Sequence, residues 1–356
     1  MLSFMRSTIG CDLGDRNSRV CCLTADARVE TEATVRTTRQ GMREFFSARA
    51  KARVVLEVGT HSRWVSELLK SLGHEVVVAN PRRVKLISQS DSKSDISDAK
   101  LLARLGRADP ELLAPIIHRG TQVQADLAAA KVRDALVRTR TKLVCQARGL
   151  VKSFGERLPR CSAESFHRRA RADVPEALKA ALEPLFDILE KLEIQIKLQD
   201  VAVEQLAKKY PDVEVISQVN GVGTLTALVF LLTLEDKSRF KKSRTVGAFI
   251  GLRPRKDQSG DTDKQLPITK AGDPFLRRLL VNCANQILGP FGKDTDLRRW
   301  GLELASRGGK NAKRRATVAV ARKLAVLMHR LWVTGEEYQP VGYEAWKKNI
   351  TTTAAS

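Results

Sequence analysis

Residues 7–36 read STIGCDLGDRNSRVCCLTADARVETEATVR. Two apolar runs, STIGCDLGD (7–15) and SRVCCLTA (18–25), flank a tight polar turn. The third run, VETEATVR (29–36), alternates apolar and polar residues with the period of two that a half-exposed strand requires. Three strands joined by such short connections can pair only as an antiparallel meander. The pattern then changes. Residues 39–51 are helical in spacing, RVVLEV (53–58) is a buried strand, and HSRWVSELLKSLG (61–73) is a helix stopped by glycine. HEVVVAN (74–80) is a fifth strand, Pro81 opens a short helix, and the helix DISDAKLLARLGR (95–107) closes the unit.

Strands separated by helices pair in parallel through right-handed crossovers. The order of three strands, helix, strand, helix, strand, helix therefore predicts an α/β domain of the ribonuclease-H-like class over residues 1–108. ADPELLAP (108–115), with two prolines, reads as its exit linker. Residues 109–210 are then linker and coiled coil. Leu178, Leu182, Leu185, Leu189, Leu192 and Ile196 alternate spacings of four and three, an a/d seam, and Leu136, Leu143 and Leu150 give a weaker one upstream. The proline- and charge-rich stretch 157–175 separates the two arms. They form either an antiparallel helical hairpin or helices that pair across a dimer. Residues 211–340 read as a mostly helical third domain, with Gly221 and Gly223 in a turn between apolar segments, and 341–356 as a tail.

The chain has 356 residues, room for two or three domains, and 43% apolar residues, enough for real cores. Its net charge of +22 is the footprint of a nucleic-acid partner. Only 5% of residues are aromatic, which disfavours a reader that stacks many single-stranded bases on rings. The six cysteines form no C-x-x-C pair and no zinc-ligand spacing, so a reducing, cytoplasmic compartment is expected. The opening MLSFMRS is too short and polar for a signal peptide, and no apolar run reaches the ~18 residues of a membrane span.

Asp12 and Glu57 each interrupt an apolar strand, where an unpartnered carboxylate costs several kcal/mol. Asp95 and Asp98, in KSDISDAK (93–100), sit three apart on one helical face. Taken alone, that pair also fits an N-cap and a first-turn acid drawn by the helix dipole. Taken with the two strand acids at the expected topological places, it reads as half of a Mg²⁺ site. A hard cation relieves the repulsion among four acids and keeps positions open for phosphate and water. GCDLGDRNSRV also resembles the first phosphate loop of the heat-shock-protein ATPases, but the second phosphate hairpin and the adenosine turn those proteins need are missing.

GLRPRKDQSGD (251–261) places Ser259 before Gly260, with Arg253, Arg255 and Lys256 just upstream. A serine in a glycine turn beside cations can approach a phosphate closely, although Ser-Gly is also a common turn dipeptide. Six segments now stand in order: Asp12; Glu57 in EVGTHSRW; KSDISDA; the NGVG turn; GLRPRKDQSG; and TKAGDPFLRR. In that order, and over nearly the whole chain, the sequence resembles the IS-one-ten family of insertion-sequence transposases, with its IS-eleven-eleven branch. These are also described as DEDD transposases, and some as bridge-RNA-guided recombinases.

The resemblance implies a RuvC-like catalytic domain, a coiled-coil insertion and a C-terminal transposase domain that carries a serine. Asp12, Glu57, Asp95 and Asp98 would hold Mg²⁺, with Mn²⁺ a substitute. Ser259 would attack DNA to give a 5′-phosphoserine link and a free 3′-hydroxyl. The implied partners are donor and target double-stranded DNA, a structured noncoding guide RNA, and further copies of the chain as dimer or tetramer. Candidate nucleic-acid contacts are Arg253, Arg255, Lys256, Lys270, Arg277, Arg278, Lys310, Lys313, Arg314 and Arg315. Two rival functions remain: a Holliday-junction endonuclease using the four acids alone, and a non-enzymatic RNA-binding or assembly protein.

Overall fold

The computed structural model describes residues 7–87, 95–259 and 262–342; the side chains at 85–87, 95, 257, 259 and 262–265 lie outside that description. The chain divides into two compact units, residues 1–119 and 120–356.

The first unit is a five-stranded mixed sheet with helices on both faces. The strands are β1 (Thr8–Asp12), β2 (Asn17–Leu23), β3 (Val29–Arg36), β4 (Arg53–Glu57) and β5 (Glu75–Ala79). Their order is β3-β2-β1-β4-β5, antiparallel through the meander and parallel from β1 to β4 to β5. The helices are α1 (Arg39–Ser47), α2 (Ser62–Ser71), α3 (Pro81–Ile87) and α4 (Asp95–Ala108). α1 starts where Thr38 accepts a hydrogen bond from the Gly41 backbone N–H.

Alternation along each strand sorts its side chains onto two faces. Ile9, Cys11, Val20, Cys22, Val54 and Leu56 pack with Met42, Phe46 and Leu69 of α1 and α2. The opposite face buries Val55, Val77 and Ala79 against Leu102, and Cys21 and Leu23 against Ala99 and Ala103, all three of these partners lying on α4. Cys11, Cys21 and Cys22 are thus small core residues with free thiols. Residues 110–113 form a 3₁₀ turn that packs back on β5, where the Asn80 N–H donates to the Leu113 carbonyl at 2.9 Å.

The second unit contains two long helices, α5 (Thr121–Ser153) and α7 (Glu176–Ala207), with the short α6 (Phe166–Arg169) between them. α5 and α7 pack against each other. From Leu178 to Ile196 the buried positions on α7 are Leu178, Leu182, Phe186, Leu189, Glu193 and Ile196, so the line passes through Phe186 and Glu193 while Leu185 and Leu192 flank it half-buried. Stacking decides the first shift, since Phe186 lies on Phe166 with ring centroids 5.6 Å apart. An ion pair decides the second: Glu193 accepts from Arg140 of α5 at 2.5 Å, with both side chains 9% exposed.

Breaking one half of such a pair strands a buried charge. Glu193→Ala is therefore expected to destabilise this unit by about 3–5 kcal/mol in denaturant melts, whereas the paired change Arg140→Leu with Glu193→Leu stays near neutral. Equal losses for the single and double variants would contradict this account.

Beyond the arms lie α8 (Asp212–Ser217), α9 (Thr224–Leu234), α10 (Val246–Phe249), the hairpin β6 (Pro254–Ser259) and β7 (Thr262–Ile268), α11 (Pro274–Leu288), α12 (Asp296–Ser306) and α13 (Ala312–Thr334). α9 is apolar all round and buried from Thr226 to Leu234, as a central helix must be. It joins α5, α11 and α13 in one core through Leu127, Leu228, Leu276, Leu280, Leu324 and Met328. Among the described residues, no helix is long and apolar enough to cross a membrane.

Candidate active site

In β1 and β4 the parallel register pairs Cys11 with Leu56, so Asp12 and Glu57 follow side by side as the last residues of their strands. Neighbouring strands stand ~4.8 Å apart. Alternation puts Asp12 on the face of Gly10 and Glu57 on the face of Val55, which is the face that α4 covers. Both acids are half-buried. Burial, with Asp12 next to it, pushes the Cys11 thiol far above its usual range.

Direct backbone contact positions α4. A Cβ on Gly10 would lie 1.9 Å from the Ala99 carbonyl oxygen and 2.5 Å from the Ala103 nitrogen, so only glycine lets the helix settle there. The far end of α4 is pinned at the opposite end of the sheet's strands. Arg53 donates to the Gly106 carbonyl at 3.1 Å, and Arg107 donates to the carbonyls of Thr24 and Ala25. Hence α4 runs against β1, and its first turn lies toward the carboxyl ends of the strands. Two strand residues from Gly10 to Asp12 advance ~6.6 Å, and four helical residues from Ala99 back to Asp95 retreat ~6 Å. Asp12, Glu57 and the turn bearing Asp95 and Asp98 therefore share one level at one end of the sheet. Asp98 is half-buried; the Asp95 side chain lies outside the described residues.

Gly10→Ala should displace α4 and lower the stability of the first unit by about 3 kcal/mol, read as an earlier transition in a thermal melt. An unshifted transition would show that α4 does not rest on this glycine.

Further groups at this end were not singled out by the sequence reading. Arg19 is the cross-strand partner of Asp12 and donates to the Thr34 hydroxyl. His61 accepts from the Trp64 indole N–H at its Nδ1 (3.1 Å), which leaves the proton on Nε2, 3.6 Å from Asp15. His61 and Trp64 lie inside EVGTHSRW, and Asp15 and Arg19 inside GCDLGDRNSRV, but only the fold brings them together at this end of the sheet. The oxygen donors present suit a hard divalent cation. Among the described residues, which exclude the Asp95 side chain, no three acid, histidine or cysteine groups converge closely enough to hold a metal.

Ser259 belongs to the second unit. It ends β6 and pairs with Thr262 of β7; residues 260–261 lie outside the described residues. The β strands PRKDQS and TDKQLPI replace the plain glycine turn expected there. The root of this hairpin is clamped. Gly251 adopts φ +80°, and a Cβ on it would meet the Ala271 nitrogen at 2.3 Å; a Cβ on Gly272 would meet the Phe249 carbonyl at 2.1 Å. Asp273 caps α11 by accepting from the N–H groups of Phe275 and Leu276. Of the candidate cations, Arg277 is directed inward and donates to the carbonyls of Ile250 (2.9 Å) and Gly272 (3.1 Å). Arg278 is paired with Asp134. Arg253, Arg255, Lys256 and Lys270 are exposed on or beside the hairpin, as are Lys310, Lys313, Arg314 and Arg315 around the start of α13.

A sheet end lined with carboxylates and a separate cationic unit define a class, and the comparisons with known proteins specify it. Residues 9–155 match a family profile described as a transposase of the DEDD type, and residues 213–294 match the transposase profile of the IS116/IS110/IS902 family. Over 295 residues the chain is 31% identical to the transposase for insertion sequence element IS1111A of Coxiella burnetii, covering 80% of this chain and 79% of that protein. It is 29% identical over 292 residues to the transposase for insertion sequence element IS1328 of Yersinia enterocolitica, covering 78% of this chain and 82% of that one. To the pilin gene-inverting protein of Moraxella bovis it is 24% identical over 285 residues, 78% of each. The chain belongs to the IS110 family of insertion-sequence transposases.

Proposed function

We propose that this protein cuts and rejoins DNA at the ends of an insertion sequence through a covalent phosphoserine intermediate. The observation that carries the reading is the placement of Asp12 and Glu57 on adjacent strand ends, level with the first turn of α4. Residues 1–108 act as a ribonuclease-H-like, RuvC-like domain in which Asp12, Glu57, Asp95 and Asp98 would hold Mg²⁺, or Mn²⁺ in its place. Such ions, when bound, activate an attacking oxygen and stabilise a leaving one. Ser259 Oγ gives up its proton as it attacks the scissile phosphorus, the Oγ–P bond forms as the bond to the 3′-oxygen breaks, and the 3′-oxygen takes up a proton in its place. Phosphoester energy is conserved in the link, so resealing needs no ATP. Arg253, Arg255 and Lys256 stabilise the extra negative charge of the transition state.

The pilin gene-inverting relative supports a recombination outcome. A structured guide RNA from the element would select donor and target sites, leaving the protein to read backbone and shape, which suits its charge and its few aromatic residues. α5 and α7 act as a coiled-coil arm in a homo-oligomer. Ile188, Ile194, Leu198 and Val201 line the exposed side of α7, each at least half exposed, which supports self-association along that side. The site of action is the bacterial cytoplasm.

The test is to incubate the protein with Mg²⁺ and a nicked suicide substrate bearing an element end, then separate under denaturing conditions. A protein–DNA adduct that depends on the metal is expected. Metal-dependent cleavage without an adduct would instead leave an endonuclease that uses the acids alone. Sequencing RNA that co-purifies with the protein tests the guide.

A further inference from the structure

The second unit contains a cavity of ≈ 300 Å³ lined by the 3₁₀ turn Ser243–Thr245, the start of α12, the latter half of α13 and residues 338–340. Its lining is mainly apolar, from Leu297, Val326 and Leu327, with Tyr338 at one side. Lys242, Arg244, Lys323 and Arg330 also line it. Lys242 and Arg244 are exposed, and Arg330 stands 3.6 Å from Glu336.

The walls are held in place. The Asp296 N–H donates to the Pro340 carbonyl, and the Tyr338 N–H donates to the Gln218 side chain, each at 2.9 Å. Behind the turn, His329 is fully buried. Its Nε2 donates to the Lys237 carbonyl at 3.2 Å, so Nδ1 is the bare nitrogen and accepts from the Ser243 hydroxyl at 2.9 Å. Burial lowers the His329 pKa below its ordinary value, which keeps the ring neutral and the tautomer fixed at neutral pH. With its proton committed to His329, Ser243 can offer the cavity only an acceptor. Asp296 is a second acceptor in the lining.

We propose that this cavity binds one unstacked nucleotide of the nucleic-acid substrate, with the base on the apolar floor and against Tyr338 and the flanking phosphates on the cations. The inference rests on the transposase reading. The volume falls in the range of small-ligand sites, and an apolar pocket with a few convergent polar groups fits a base better than it fits a bare phosphate. Extruding a base costs a few kcal/mol, and stacking plus apolar burial offsets it. The Ser243 oxygen, able only to accept, favours a base that carries an exocyclic amino group. One such pocket also fits a chain too poor in aromatic residues for an extended stacking platform.

The test uses the full-length protein and 2-aminopurine, a fluorescent purine with an exocyclic amino group, placed in turn at each unpaired position of a DNA strand and of an RNA strand of the same sequence. Binding of the wild type should change the emission at one position. Tyr338→Ala and Val326→Trp should remove that change and weaken binding about tenfold. Lys242→Glu with Arg244→Glu, on exposed side chains that leave the core untouched, should weaken it as well. A response from DNA alone or from RNA alone supports the pocket and names the strand it takes. The proposal fails if no position responds while anisotropy shows both strands bound, or if all three variants, folded by circular dichroism, respond like the wild type. Absence of any nucleic-acid binding would overturn the transposase reading, and the pocket with it.

Discussion

Ser259→Ala is expected to eliminate the covalent protein–DNA adduct and to reduce strand exchange by at least about a thousandfold. The substitution removes the atom proposed to attack, and residual positioning by the cations cannot form an Oγ–P bond; single deletions of a nucleophile elsewhere cost far more than a thousandfold. The change removes one oxygen from the end of a strand whose root is clamped elsewhere, by Gly251 and Gly272. Folding and DNA affinity should therefore survive, and the melt should match the wild type. Ser259→Cys gives an independent readout, because a phosphothioester made by that variant would hydrolyse under conditions that leave a phosphoserine intact. An adduct formed normally by Ser259→Ala would remove the residue from the mechanism.

Asp12→Asn should produce the second large loss. The amide keeps the size of the carboxylate and removes the charge. If Asp12 helps to hold the cation, several kcal/mol of transition-state stabilisation disappear with it, about a thousandfold in rate. Asp98→Asn should behave similarly, because the packing of α4 on Gly10 sets its turn level with Asp12. Cleavage of an element-end substrate is read against Mg²⁺ concentration, beside a thermal melt. An acid that served only as a helix cap or strand-end partner would shift the melt and leave the metal dependence alone. Retained turnover with a lowered melting temperature would favour that structural role.

The first unit is legible in the sequence because its strands obey the period of two and its helices carry clear stops; Asp12 and Glu57 stand out because each breaks an apolar run. What places them beside α4 is Gly10, which local pattern reading passes over since the constraint comes from a helix nearly ninety residues away. The hairpin that carries Ser259 gives almost no signal. PRKDQS and TDKQLPI have no apolar alternation, so neither reads as a strand, and the glycine at 260 suggests only a turn. The arm was legible as paired helices, yet its line shifts by one residue at Phe186 and at Glu193, where a ring stack and an ion pair outweigh leucine spacing. Arg277 and Arg278 look like surface cations in the sequence. In the fold, one donates to two backbone carbonyls and the other pairs with Asp134.

The glycine contact at the root of the hairpin has a mechanical consequence. Six extended residues make β6 a rod ~20 Å long. A rod gripped at one end acts as a lever, and a tilt of about 10° at the grip would carry its tip by roughly 3.5 Å, the difference between reacting atoms in contact and reacting atoms apart. Small rotations at Gly251 and Gly272, rather than any rearrangement at the serine itself, would then be enough to arm or disarm the hydroxyl.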